Sequence, residues 1–265
     1  MNKSPIGIFD SGIGGLSVTL EINKLLPNEN IEYLADHGRQ PYGPRGKKEI
    51  EDFVIEIIDY LLSKKIKACI IACNTATAAG LEKAKKHFKI PIIGVIDSGV
   101  RAAVENTNSG RIGLVATEFT VKSQEHLKRI KKINPTLEVF ASPCPEFFRL
   151  VETGRLETEE TYEIAKKYLE PIKVKKVDTL ILACTHYPFL SKVIQDIMGS
   201  MVKLINPAYD TALEMKNILE KNRLINNSKD KKEEHYYTTG DPKSVNIIAN
   251  TITGEKRFKF VQVKL

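Results

Sequence analysis

The chain has 265 residues, 42% of them hydrophobic and 28% charged, which suits one large or two small globular domains able to bury a proper core. No apolar run approaches the roughly 20 residues that span a bilayer, and the N-terminus enters an apolar strand too early for a signal peptide. A cytoplasmic protein with no membrane partner is expected, its four cysteines (Cys69, Cys73, Cys144, Cys184) staying reduced. The net charge of +7 is spread over every amphipathic segment without an aromatic-and-basic signature, which argues against nucleic acid and fits a small anionic substrate.

The first predicted strand is IGIFD (6–10), running into the glycine-rich DSGIGG (10–15), and the second is IEYLAD (31–36). Over 47–64, Ile50, Phe53, Val54, Ile57, Ile58, Leu61 and Leu62 recur at helical spacing and form one apolar face. Further short strands follow between helical stretches: ACIIAC (68–73), PIIGVID (91–97), RIGLVA (111–116), LEVFA (137–141), TLILAC (179–184) and VKLIN (202–206). Such alternation predicts α/β domains with mainly parallel sheets flanked by helices. After Asn206 come a helix over 208–222, the polar loop NNSKDKKEE, then EHYYTTGDP and a closing strand FKFVQVKL. This tail is too short for a domain and is expected to pack back on the first half.

The chain also repeats itself. IGIFDS (6–11) is matched by IGLVAT (112–117), IIACNT (70–75) by ILACTH (181–186), and IIGVIDSGVRAA (92–103) weakly by VKLINPAYDTAL (202–213), in the same order at offsets of 106, 111 and about 110 residues. Two similar domains follow, 1–97 with 207–265 and 98–206, related by a pseudo-twofold with the active site at their junction.

Ligands of open α/β sheets bind beyond the carboxyl ends of the strands. Asp10, Cys73 and Cys184 each stand at the end of an apolar run. A helix starting directly after each cysteine would offer unpaired N–H groups and a positive dipole end, favouring a thiolate. Cys69, in mid-strand, reads instead as a small core hydrophobe, and Cys144 in SPCPEF as structural. The C-x3-C of Cys69 and Cys73 and the Cys-x-His of Cys184 and His186 lack the paired C-x2-C spacing of a structural zinc site, so no metal is expected. DSGIGG is neither a dinucleotide fingerprint nor a P-loop, although its glycines allow backbone N–H groups to approach a carboxylate. His186, two residues from a candidate thiolate, is a candidate proton partner. Two thiols on equivalent strand ends suit inversion of a stereocentre, with a base on one face and an acid on the other.

IGIFDSGIGG, PYG (41–43), ACNTA (72–76), CPEFFRLVE (144–152) and ACTHYP (183–188) together resemble glutamate racemase, in family order from residue 5 to about 215. The resemblance implies that Cys73 and Cys184 are the acid/base pair, Cys73 acting on D-glutamate and Cys184 on L-glutamate. Asp10 would assist Cys73, His186 would assist Cys184, and Glu152 would be a further assisting acid. Asp10, Ser11, Tyr42, Gly43, Asn74, Thr75, Thr185 and His186 match substrate-binding positions. No cofactor is implied, and the D-glutamate made would serve peptidoglycan synthesis. A homodimer is the expected assembly. His37-Gly38, Ser98, Arg149 and Ala183 depart from the pattern, and Arg149 is expected to alter the approach to Glu152.

Overall fold

Strand β1 (Ile6–Asp10) is buried along its whole length, as a strand with neighbours on both edges and helices over both faces must be. The chain continues through α1 (Leu16–Leu25), β2 (Ile31–Ala35), α2 (Lys47–Ser63), β3 (Ala68–Ile71), α3 (Asn74–His87) and β4 (Ile92–Gly94). Next come α4 (Val95–Asn106), β5 (Arg111–Ala116), α5 (Glu118–Ser123), α6 (Glu125–Ile133), β6 (Glu138–Pro143), α7 (Pro145–Glu152), α8 (Glu159–Lys173), β7 (Thr179–Ala183), α9 (Ser191–Met198) and β8 (Lys203–Ile205). The tail supplies α10 (Ala208–Lys221), β9 (Glu234–Thr238), α11 (Pro242–Thr253) and β10 (Phe260–Gln262). This computed structural model describes residues 2–228 and 230–265, so Met1 and Lys229 of the loop NNSKDKKEE lie outside the described residues.

The chain divides into two units, Met1–Val95 with Ala208–Leu265, and Ile96–Pro207. The first holds a six-stranded parallel sheet in the order β10-β9-β2-β1-β3-β4, and the second a four-stranded parallel sheet in the order β6-β5-β7-β8. Substituting β5 to β8 for β1 to β4 turns β2-β1-β3-β4 into β6-β5-β7-β8. The repeat in the sequence is therefore a repeat of topology. The tail breaks the symmetry by laying β9 along β2, from Ile31 opposite Glu234 to Ala35 opposite Thr238, with β10 outside it.

Helix α2 buries Ile50, Val54, Ile57, Ile58 and Leu61 completely, each worth roughly 1.5–3 kcal/mol of transfer free energy. Phe53 and Leu62, on the margin of the same stripe, are only half-buried. The Phe53 ring is covered instead by the Arg39 guanidinium, 4.1 Å from its centroid, and by Arg45 at 5.3 Å. PIIGVID is not a strand throughout: β4 ends at Gly94 and Val95 already begins α4. A short apolar run reads alike in either state, and here its second half goes helical. The closing strand shrinks to Phe260–Gln262. Among the described residues no helix is long and apolar enough to cross a membrane.

Candidate active site

In the first unit β1 and β3 are neighbours, with Phe9 opposite Ile71. Their carboxyl ends bring the DSGIGG turn alongside Cys73. The Asp10 carboxylate, fully buried, accepts hydrogen bonds from the Gly12 and Gly15 N–H groups, both at 3.2 Å. Gly15 is required by space, whereas at Gly12 only the end of the flexible Gln40 side chain stands in the way. A Cβ on Gly15 would lie 2.7 Å from Asp10 Cβ and 2.9 Å from Ala72 Cβ, and one on Gly12 would strike Gln40 Oε1.

Cys73 is the N-cap of α3, and its Sγ accepts from the Ala76 N–H at 3.5 Å. The same sulfur lies 3.6 Å from Ser11 Oγ. Helix geometry thus gives this thiol a backbone donor and the positive end of a dipole, both of which favour the thiolate. Asn74 and Thr75 form the first turn and are buried. Asn74 Oδ1 finds no hydrogen-bond partner among the described residues, an acceptor left over for a ligand's N–H.

Tyr42 belongs to the same constellation. Its hydroxyl donates to Asp36 Oδ2, and burial together with the Asp36 charge holds the phenol well above its ordinary pKa, with a further push from Cys73. Asp36 itself is fully buried and also receives Arg39 Nε and, at 2.7 Å, the Thr239 hydroxyl from the tail. Gly38 N–H donates to the same threonine Oγ1 at 2.9 Å, and a Cβ on Gly38 would sit 2.7 Å from the Thr239 carbonyl oxygen. This explains the glycine at a departing position. Gly43 lies in the turn after Tyr42. Asp36 and Thr239 were not singled out from sequence. The only available signal was a carboxylate at the end of IEYLAD, equivalent in place to Asp10.

In the second unit Cys184 follows β7 directly, but no α-helix starts there. Residues 184–186 form a turn, Tyr187–Leu190 a single 3-10 turn, and α9 begins only at Ser191. The expected helix start at Cys184 is thus corrected: the turn is closed by Tyr187 N–H donating to the Cys184 carbonyl at 3.0 Å, and Pro188 opens the 3-10 turn instead. An imidazole takes the dipole's place. His186 Nδ1 lies 4.0 Å from Cys184 Sγ, and its Nε2 is 2.8 Å from Glu152 Oε1. Burial disfavours the imidazolium, yet the contacts with Cys184 and Glu152 overcome it and raise the His186 pKa to about 10. Thr185, between the two, is buried.

Helix α7 delivers Glu152 by simple periodicity. Phe148 and Glu152, four residues apart, share a face, and the Phe148 ring meets His186 edge-on with centroids 4.8 Å apart. The neighbouring face is fixed by Phe147 against Tyr187, 5.1 Å between centroids, and by the Tyr187 hydroxyl donating to the Cys144 carbonyl at 2.7 Å. Cys144 is a buried N-cap whose thiol burial pushes up to about 12, so it stays protonated, and burial likewise raises Cys69. Arg149 turns outward to Glu160 at 3.0 Å. Ser98 is buried within α4, and Ala183 is the buried last residue of β7.

Each unit therefore places a thiol just past a matching strand, Cys73 beside Ser11 Oγ and the Ala76 N–H in one, Cys184 beside His186 and, through it, Glu152 in the other. A duplicated parallel α/β fold with these two constellations is that of the racemase class. The glutamate racemase of Oceanobacillus iheyensis is 41% identical over 265 residues, spanning 100% of this chain and 96% of its own. Among solved structures, glutamate racemase isoform RacE1 from Bacillus anthracis superposes with a TM-score of 0.96 at 37% identity, covering 100% of this chain and 99% of that one. Glutamate racemase from Francisella tularensis, in complex with D-glutamate, gives 0.92 at 33% identity, covering 100% and 98%. The chain belongs to the Asp/Glu/Hydantoin racemase family, whose sequence model matches residues 6–211, and within it to the glutamate racemases.

Proposed function

We propose that this chain interconverts L- and D-glutamate without a cofactor, Cys73 and Cys184 carrying the proton on opposite faces of Cα. The observation that carries this reading is the pair of thiols just past β3 and β7, equivalent strands of a duplicated sheet, Cys73 at the N-terminus of α3 and Cys184 beside His186. The Cys184 thiolate takes the α-proton of L-glutamate, the electron pair is held on Cα and the adjoining carboxylate, and the Cys73 thiol returns a proton from the other face. For D-glutamate the roles exchange. His186, buttressed by Glu152, is the proton partner of Cys184, while the N-terminus of α3 and Asp10 serve Cys73. Ser11, Tyr42, Gly43, Asn74, Thr75 and Thr185 hold the carboxylates and the ammonium group, for which the unpartnered Asn74 Oδ1 is an acceptor. The relatives named above are glutamate racemases, and the Francisella enzyme binds D-glutamate, which supports this substrate over aspartate. The enzyme would work as a homodimer in the cytoplasm and feed D-glutamate to peptidoglycan synthesis.

Circular dichroism of L-glutamate incubated with the purified, chelator-dialysed protein tests the activity. The expected result is decay of the signal to zero, no turnover of L-aspartate, and no gain from added zinc or pyridoxal phosphate. Cys73→Ala and Cys184→Ala should each abolish the decay. In heavy water, early deuterium should appear mainly in the product enantiomer. Equal early labelling of recovered substrate would point to a single base and overturn the two-thiol scheme.

A further inference from the structure

In the second unit, away from Cys184 and Glu152, helices α5 and α6 cover one face of β5 and β6 and leave a cavity of about 130 Å³. Leu114, Val121, Leu127 and Val139 supply apolar walls, and Gln124 and His126 supply polar ones. His126 is 1% exposed, and neither of its ring nitrogens has a hydrogen-bond partner among the described residues. Burial, aided by the Arg129 charge, lowers its pKa to about 3, so the ring is neutral at ordinary pH and offers one N–H donor and one bare acceptor. A buried donor or acceptor left without a partner is destabilising. Native interiors seldom keep two on one ring without a use for them. Gln124, between the two helices, is also held at φ 58, a left-handed conformation that a non-glycine residue seldom takes.

We infer that this cavity is a binding site for a small neutral molecule with an apolar body and one hydroxyl group, the hydroxyl pairing with His126. A cavity of about 150 Å³ lined by aliphatic side chains takes up benzene, so a body of about six heavy atoms fits here. The walls make contact with that body, and a hydroxyl, both donor and acceptor, satisfies whichever imidazole nitrogen faces it. Leu114, Val121, Leu127, Val139 and Ala141 make most of the lining apolar, which favours a neutral ligand over an anion. The site is independent of the racemase reading, since no residue assigned to proton transfer lines it.

Phenol and toluene are the probes, equal in size and different in the hydroxyl. Protein with labelled methyl groups and histidine rings is titrated with each at neutral pH. Phenol should shift the His126 ring and the Leu114, Leu127 and Val139 methyl signals saturably, with a single dissociation constant. Toluene should bind at least about tenfold more weakly, as should phenol to His126→Phe, the loss expected for one buried hydrogen bond. The absence of saturable shifts at those methyls would overturn the proposal, and so would equal affinity for the two probes. Should His126→Phe fail to fold, the phenol-to-toluene ratio in the wild-type protein decides the matter alone.

Discussion

Replacing Glu152 by glutamine keeps the shape of the side chain against His186 and removes its charge. In the wild-type chain the two groups meet at 2.8 Å, both largely shielded from water, and the imidazole pKa is raised to about 10. Two unit charges centred about 4 Å apart interact by ~4 kcal/mol at an effective dielectric of about 20, which corresponds to about 3 pH units. The Cys184 contact also raises the imidazole pKa, so Glu152→Gln is expected to lower the His186 pKa towards ~7, and at that limit to cut the imidazolium at about pH 8 from nearly all molecules to roughly a tenth. Cys184 loses its charged proton partner, so kcat starting from L-glutamate should fall by about tenfold at that pH. The sign is specific: a lowered His186 pKa makes the deficit relative to wild type shrink as the pH falls towards neutrality. Enantiomers have equal free energy in water, so kcat/KM must stay equal in the two directions and the bias appears in kcat, with KM compensating. Initial rates from each pure enantiomer, with the His186 ring carbon titrated by NMR, read both effects. A His186 pKa within one unit of the wild-type value, or equal losses of kcat in both directions, would refute the relay.

Asp10→Asn should give the opposite bias, depressing kcat from D-glutamate by about 10²–10⁴-fold if Asp10 serves Cys73; the same paired rate assay checks it, and a symmetric loss counts against the assignment. Asp36→Asn removes the charge shared by Arg39, Tyr42 and Thr239. It should raise KM more than it lowers kcat and cost about 1–3 kcal/mol in urea unfolding; unchanged KM would show that Tyr42 needs no such anchor. His126, near pKa 3 folded and 6.5 unfolded, makes the unfolded chain bind the extra proton between those values. Its contribution to stability is thus constant above about pH 6.5 and is lost as the pH falls, at up to ~1.4 kcal/mol per unit. Urea unfolding at pH 7, 6 and 5 should show a steeper loss in wild type than in His126→Phe, and parallel slopes would contradict the buried neutral ring.

Periodicity and punctuation carried most of the fold. Strands buried on both faces are continuous apolar runs, so β1, β3, β5 and β7 were legible, and with them the positions of Asp10, Cys73 and Cys184. The face of α2 was legible except at its margin, where two guanidinium groups rather than the core cover Phe53. Helix α11 lies where the tail reads only as EHYYTTGDP and a closing strand, although Asp241 before Pro242 and Gly254 after Thr253 mark its ends; Asp241 caps the Lys243 and Ser244 N–H groups. The turn at Cys184 was not legible, because ACNTA and ACTHY look alike, although Pro188 marks the 3-10 turn that follows the second. Contacts such as Thr239 with Asp36 join residues 203 positions apart, and no local pattern announces them.

The placement of β9 beside β2 also sets the order in which the molecule can be completed. The Ile96–Pro207 unit is continuous in sequence and can close as soon as it is made, whereas the first unit waits for Ala208–Leu265. At about 5–20 residues per second, that stretch takes on the order of 3–12 s to synthesise. Until β9 emerges, partway through that interval, the β2 edge, Ile31–Ala35, stands without its parallel neighbour, an open ladder of N–H and C=O groups of the kind that templates aggregation. Crowded ribosomes carrying nascent chains of this protein are therefore where strand-to-strand mispairing is most to be expected, and the arrival of Glu234–Thr238 ends the hazard.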